Sequence, residues 1–92
     1  METRVALIGI IVEQESSAAA LNALLHEYGG YIIGRMGVPY RERGLSIIAL
    51  LVDGSTDALG AMTGKLGNIP GVKVRSVLLT AAGQELSPKE DS

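Results

Sequence analysis

The sequence contains no cysteine, phenylalanine or tryptophan and only one histidine. Without cysteine the chain cannot form disulfides, thiolate metal sites or iron–sulfur clusters held by its own thiolates, and it has no cysteine nucleophile. The aromatic residues are three tyrosines, so platforms on which nucleic-acid bases could stack are scarce. The net charge of −2 lacks the basic excess that binds a phosphate backbone. We therefore expect no direct nucleic-acid binding.

Long apolar runs are also absent. The longest, Val5–Val12 and Ile47–Val52, are far shorter than the roughly 20 residues that span a bilayer. Met1 precedes a short polar segment and a strand-like run without a cleavage site, so we expect neither a membrane segment nor a signal peptide and interpret the protein as cytoplasmic. Residues 1–80 are predicted to form one domain and residues 81–92 a polar tail that adds little to the core.

The residues that are present form alternating strand and helix patterns. Val5–Val12 and Leu45–Val52 are apolar on both faces, which is typical of strands in the middle of a sheet. Tyr31–Val38 and Val72–Leu79 alternate and carry charge, which is typical of edge strands. Between them lie two apolar stripes with helical spacing. The stripes consist of Leu21, Leu24, Leu25 and Tyr28, and of Leu59, Met62, Thr63 and Leu66.

Short polar segments predict where these elements end. Ser16 or Ser17 can cap the first helix and Ser55 or Thr56 the second. Gly29-Gly30 is predicted to end the first helix by adopting the left-handed conformation. Pro39–Gly44 has the length and composition of a hairpin connection.

The order βαββαβ predicts an α+β, ferredoxin-like sandwich. We expect a four-stranded antiparallel sheet in the order 4-1-3-2 with both helices on one face. The other face keeps alternate residues of the two inner strands, which are nearly all apolar. An uncovered patch of this kind predicts a homo-oligomer, a dimer or tetramer, whose subunits cover this face or pair their sheet edges. Regular alternation puts Ile32, Met36 and Val38 on one side of the second strand, and Lys73, Arg75 and Arg35 around the uncovered face as a polar rim.

The second helix is rich in glycine. Gly60, Gly64 and Gly67 fall on one flank, beside Lys65. The spacing does not match a phosphate-binding loop, since three residues separate the first two glycines and Leu66 follows the lysine. Glycine inside a helix costs about 1 kcal/mol relative to alanine. The pattern therefore indicates close packing against the sheet or the neighbouring helix, or, as the alternative, a ligand site.

Two further groups could bind something. Arg35, Arg41 and Arg43 lie close in sequence with Tyr40, and guanidinium forks suit carboxylates and phosphates; a solvated turn is the alternative. His26 lies on the polar side of the first helix. It could ligate a metal if symmetry supplied a second histidine or Glu27 helped, or it could simply face solvent. No histidine–serine–acid set or paired carboxylates are evident, so we expect no enzymatic activity.

Several segments together carry a family resemblance. They are Ile11-Val12-Glu13, Leu24-Leu25-His26, Arg35-Met36-Gly37-Val38-Pro39-Tyr40-Arg41-Glu42, and Leu59-Gly60-Ala61-Met62-Thr63-Gly64-Lys65-Leu66-Gly67-Asn68-Ile69-Pro70-Gly71-Val72. With them the chain resembles the small ACT-like proteins named iron-only hydrogenase system regulators.

The resemblance implies a ferredoxin-like fold similar to the ligand-binding half of nickel-responsive regulators, an oligomer, and a role alongside iron-only hydrogenases. The metal-binding histidines of nickel-responsive regulators have no counterpart beyond His26, and their DNA-binding arm has none, because the first predicted strand begins near Arg4.

The sequence therefore predicts a non-enzymatic regulatory module that binds a small ligand or a partner protein. The alternatives are a metal-responsive protein that uses His26 at a subunit interface, and a structural accessory subunit. The sequence identifies neither the ligand nor a cofactor.

Overall fold

The computed structural model describes residues 3–80, and the predicted tail at residues 81–92 lies outside them. The main elements are β1 (Arg4–Val12), α1 (Ala18–Glu27), β2 (Ile32–Tyr40), β3 (Leu45–Gly54), α2 (Thr56–Gly67) and β4 (Val72–Leu78). Three short 3-10 turns lie at Glu15–Ser17, Gly29–Tyr31 and Arg41–Arg43. Neither helix of residues 3–80 is long and apolar enough to cross a membrane.

The strands form one antiparallel sheet in the order β2-β3-β1-β4. This confirms the predicted order and the α+β, ferredoxin-like fold. The two strands that are apolar on both faces are the inner ones, and the two that carry charge are the edges. An edge strand offers unpaired backbone groups to other chains, and charge on it discourages stray pairing.

The core lies between the helices and one face of the sheet. Ile8 and Leu50 are fully buried there, and so are Met62 and Leu66 of α2. The stripe of α1 supplies Leu21, Leu25 and Tyr28, with Leu24 at its margin. Both predicted helical stripes are confirmed, because their apolar residues lie in this core. The even-numbered residues of β1 and β3 face them from the sheet.

The ends of the helices differ in part from the prediction. Ser55 caps α2, because its hydroxyl accepts a hydrogen bond from the backbone N–H of Ala58. Ser17 precedes α1 but makes no cap; its buried hydroxyl donates to the carbonyl of Pro70 and ties the start of α1 to the connection between α2 and β4. The prediction that Gly29-Gly30 ends α1 by adopting a left-handed conformation is wrong. Positive φ occurs at Gly44 and Gly71, and α1 instead tightens into a 3-10 turn.

The strand β2 also departs from the prediction. It extends to Tyr40, so Pro39 belongs to the strand and not to the connection; proline is tolerated there because β2 is an edge. The register shifts between Ile32 and Gly34, which marks a β-bulge. An extra residue in a strand moves every side chain that follows it to the opposite face of the sheet. Ile32 therefore faces the helices opposite Val52, and the prediction that it shares a side with Met36 and Val38 is wrong.

Candidate functional site

The face of the sheet without helices is the most distinctive surface of residues 3–80. We call it the open face. Residues that pair across an antiparallel sheet project to the same side, so the strand register defines its members. They are Val5, Leu7, Gly9 and Ile11 of β1, Leu45, Ile47, Ala49, Leu51 and Asp53 of β3, Gly34, Met36, Val38 and Tyr40 of β2, and Lys73, Arg75 and Val77 of β4.

The open face is aliphatic and accessible. Leu7 and Leu51 are 38% and 42% exposed, although they lie on the two inner strands. Met36 and Val77 on the edges are 62% and 58% exposed. A contiguous apolar surface rimmed by polar residues marks an interaction site in soluble proteins. The predicted uncovered apolar face is therefore present.

The side chains of the open face differ in size from row to row. Its central row runs Met36–Ala49–Gly9–Arg75 across the strands, and its two middle residues are small. The adjacent rows place Ile47 and Ile11 on one side, and Leu51 and Leu7 on the other. The sequence prediction missed Gly9. The available signal was a glycine in the middle of a strand that is apolar on both faces.

The basic edge of the open face comes from β4. Lys73 lies opposite Ile11, and its ammonium is 3.6 Å from a carboxylate oxygen of Glu13. Arg75 lies opposite Gly9. Its Nη1 donates to the carbonyl of Val74 at 2.9 Å, and no carboxylate of residues 3–80 forms an ion pair with it.

Arg35 does not belong to this rim, contrary to the prediction. The bulge turns it to the helix side, where it lies opposite Leu50. It lines a shallow depression together with Asn22 and His26, two residues that the sequence gave no reason to group with it. A fixed positive charge near His26 disfavours a cation. Among residues 3–80 no group of three or more histidine or acidic side chains could hold a metal ion.

The other predicted basic residues are separated from Arg35. Tyr40 lies opposite Leu45, at the end of the open face. Arg41 and Arg43 belong to the following 3-10 turn, and Arg41 lines a second depression with Glu15 and Gly44. The structure therefore divides the predicted arginine cluster between two places.

The glycine flank of α2 is open. A Cβ atom built on Gly60, Gly64 or Gly67 meets no heavy atom within 4 Å. The prediction that these residues allow close packing on the sheet or on α1 is wrong, because no neighbour lies in contact distance of a Cβ atom on any of them. Gly60 borders a depression beside β1 and β4. Their alternative role, in a ligand site, stays a prediction.

Lys65 connects the two helices. Its ammonium is 3.4 Å from a carboxylate oxygen of Glu27 and 5.3 Å from the centre of the Tyr28 ring. Tyr28 and then Glu27 hold the pKa of Lys65 above its ordinary value, because both stabilise the charged form. These contacts give Lys65 a role within the subunit, and its role in ligand binding stays a prediction.

Comparisons with solved structures identify similar proteins. An uncharacterized protein, TM1266 from Thermotoga maritima, is 39% identical, with a TM-score of 0.83 over 86% of this chain and 100% of that one. The divalent ion tolerance protein CutA1 from Ehrlichia chaffeensis is 12% identical, with a TM-score of 0.46 over 96% and 89% of the two chains. CPII, a nitrogen regulatory PII-like protein from Thiomonas intermedia K12, is 15% identical, with a TM-score of 0.45 over 87% and 100%. The last two similarities are too low to support an argument.

A search of curated proteins found no match. A family model described as "TM1266-like: Iron-only hydrogenase system regulator, putative" matches residues 4–76, which contain nearly all of the fold. Together with the likeness to the Thermotoga maritima protein, this match shows that the chain belongs to the TM1266-like family of iron-only hydrogenase system regulators.

Proposed function

We propose that this protein is a non-enzymatic regulatory module of iron-only hydrogenase systems, and that it works as a homo-oligomer. The family description supports the regulatory role. The open face supports the oligomer, and it is the observation on which the proposal depends. A regulator needs a surface that binds another molecule, and this one is already formed in the single subunit.

The argument for association is energetic. Each large aliphatic side chain gains about 1.5–3 kcal/mol when it is fully buried rather than exposed. Leu7, Ile11, Ile47 and Leu51 are all more than one-third exposed, and all four lie on the inner strands. Several such residues on one face can offset the entropy lost on association. A small domain also buries proportionately less surface by itself than a large one.

Two arrangements of subunits follow from the fold. A second copy can cover the open face, so that two sheets pack with their apolar sides together. Alternatively, copies can pair through the free edges of β2 or β4, which leaves the open face accessible to another molecule. Lys73 and Arg75 lie on the edge of the open face and would form part of the polar rim of the first arrangement.

The test is the mass of the protein in solution, measured by multi-angle light scattering at micromolar concentration. We expect an oligomer for the wild type. Because Ile47 points to the open face, Ile47→Asp should give a smaller, folded species if a second copy covers that face. Ala19→Asp is the matched control, since it adds the same charge at an exposed position on α1 and should not change the mass.

Three results would decide between the possibilities. A monomeric wild type contradicts the oligomer. An oligomer that persists in Ile47→Asp favours pairing through the sheet edges over burial of the open face. The metal-responsive alternative would be favoured instead by two results together: a smaller mass for His26→Ala than for the wild type, and stabilisation of the wild type by added nickel or zinc.

A further inference from the structure

Gly9 has no role that the subunit itself explains. It lies in the middle of the central strand β1, where glycine weakens a strand because it has high backbone entropy and no side chain to pack. Its φ is not positive, so the backbone does not require glycine. A Cβ at this position would meet only the carbonyl oxygen of Arg75, at 3.9 Å, an ordinary contact. A glycine of this kind marks a place where something outside the chain approaches closely.

The missing side chain makes a trough. Gly9 and Ala49 form its floor, and Ile11 and Ile47 form one wall. From Met36 to Arg75 the row crosses three gaps between strands, a length of about 14 Å. At the β4 end of this row, Gly9, Ile11, Ile47, Lys73 and Arg75 line an open depression with a volume of about 410 Å³.

The trough has a charge at one end only. Arg75 ends the row at β4, and Lys73 stands beside it in the next row. Both side chains line the same depression as Gly9. At the β2 end the row stops at Met36, which is uncharged. A molecule that fits this surface therefore has an apolar body and an anionic group at one end.

From these observations we infer that the open face binds a small amphipathic carboxylate. Its apolar part lies over Gly9 and Ala49, and its carboxylate accepts hydrogen bonds from the Arg75 guanidinium, with Lys73 adding charge. This inference rests on the proposed function in its second arrangement, in which copies pair through the free edges of β2 or β4 and leave the open face accessible. It names the class of ligand that the regulatory module binds. A guanidinium suits a carboxylate because its N–H groups form a planar fork.

Charge favours this ligand over a second copy as the molecule that contacts Gly9. Two carboxylates lie on or beside the open face in the residues that the structure describes. Asp53 lies opposite Val5, two rows from Arg75, and Glu13 already pairs with Lys73 at 3.6 Å. A second copy stacked on the open face would thus offer mainly aliphatic groups near Arg75, which forms no ion pair with a carboxylate of residues 3–80.

The test uses octanoate as the probe, and octanol and octylammonium as neutral and cationic counterparts. Each competes with the fluorescent anion 8-anilinonaphthalene-1-sulfonate for the wild-type protein. We expect octanoate to displace the dye at a concentration at least about tenfold below that of octanol, because hydrogen bonds to charged groups are strong. Octylammonium should be the weakest competitor.

Three variants locate the site. Arg75→Gln should remove the advantage of octanoate over octanol, whereas Arg4→Gln, on the helix side of β1, should keep it. Gly9→Val fills the trough with a residue that strands favour, so the melting temperature should be kept while octanoate binding is lost. If Gly9→Val does not fold, Ala49→Val tests the same row.

Equal displacement by octanoate and octanol, or an unchanged advantage in Arg75→Gln, would overturn the inference. The mass of the same samples separates this result from the proposed function. An oligomer without octanoate binding leaves the proposed function standing and refutes the carboxylate site. A monomer whose octanoate binding depends on Arg75 contradicts the proposed oligomer and supports the carboxylate site.

Discussion

The two sides of β1 carry the same kinds of side chain but lie in different surroundings. Ile8 and Ile10 face the helices and are 0% and 1% exposed. Leu7 and Ile11 face the other way and are 38% and 36% exposed. The residues differ by one position along the chain, and nothing in their chemistry distinguishes them. The difference comes from the layer above them, because α1 and α2 cover one side only.

This contrast shows that burial is a property of the assembled layers and not of a residue type. An aliphatic side chain on the helix side stabilises the subunit, whereas the same side chain on the open face is available to another molecule. Substitutions on the two sides should therefore report on different processes, folding in one case and binding in the other. The predictions below test this separation.

The largest difference in stability is expected when a charge is placed on one or the other of two neighbouring residues of β3. Ile48→Asp places a carboxylate without a partner in the core, where the side chain is 9% exposed, and should cost more than about 4 kcal/mol. That is a large part of the roughly 5–15 kcal/mol that stabilises a folded domain. Ile47→Asp points to the open face and should leave the subunit folded. Circular dichroism during thermal unfolding measures both, and an unfolded Ile47→Asp variant would contradict the separation of the two faces.

A milder version of the comparison uses truncation of β1. Ile10→Ala leaves a cavity against the helices and should lower the free energy of unfolding by about 2–5 kcal/mol. Ile11→Ala should lower it by about 1 kcal/mol or less in the isolated subunit, since the side chain is already partly exposed. Urea unfolding at two protein concentrations adds a control. A cost of Ile11→Ala that grows with concentration would show that Ile11 is buried between subunits.

The smallest effect is expected at a glycine of α2, outside the sheet. Gly60→Ala on α2 should raise the stability by up to about 1 kcal/mol, because alanine favours a helix and its Cβ meets nothing within 4 Å. Gly54→Ala is the contrast, since its Cβ would lie 2.7 Å from Tyr31 Cδ1 and should destabilise the subunit. Thermal unfolding measures both. A loss of stability in Gly60→Ala would indicate that another chain packs against this flank of α2.

Much of the fold could be predicted because hydrophobic pattern and topology are independent and agree. The two runs that are apolar on both faces are the inner strands, and the charged alternating runs are the edges. The stripes of α1 and α2 followed from helical spacing. Which side chains of β2 lie on the helix side of the sheet could not be predicted in the same way. Its bulge depends on how β2 pairs with β3, and a single extra residue moved Arg35 to the helix side and Met36 to the open face.

The candidate site was harder to predict than the fold. The sequence placed Arg35, Arg41 and Arg43 together because they are close along the chain, but the strand and the turn separate them. The glycines of α2 suggested tight packing, yet a Cβ atom on Gly60, Gly64 or Gly67 would meet no heavy atom within 4 Å. Gly9 was not singled out, because one glycine in an apolar run has no spacing to interpret. Its meaning depends on the neighbours that pairing supplies across the sheet.

By itself the sequence determined the element order, the inner and edge positions of the strands, and the apolar character of both sides of the sheet. These follow from residue type and period, which are local properties of the chain. The tertiary structure alone decided which side the helices cover, and with it that Ile48 is core while Ile47 is surface. It also joined Ala49, Gly9 and Arg75 into one row from three strands. Such a row exists only when strands that are distant in sequence pair in one register, because side chains align across a sheet and not along the chain.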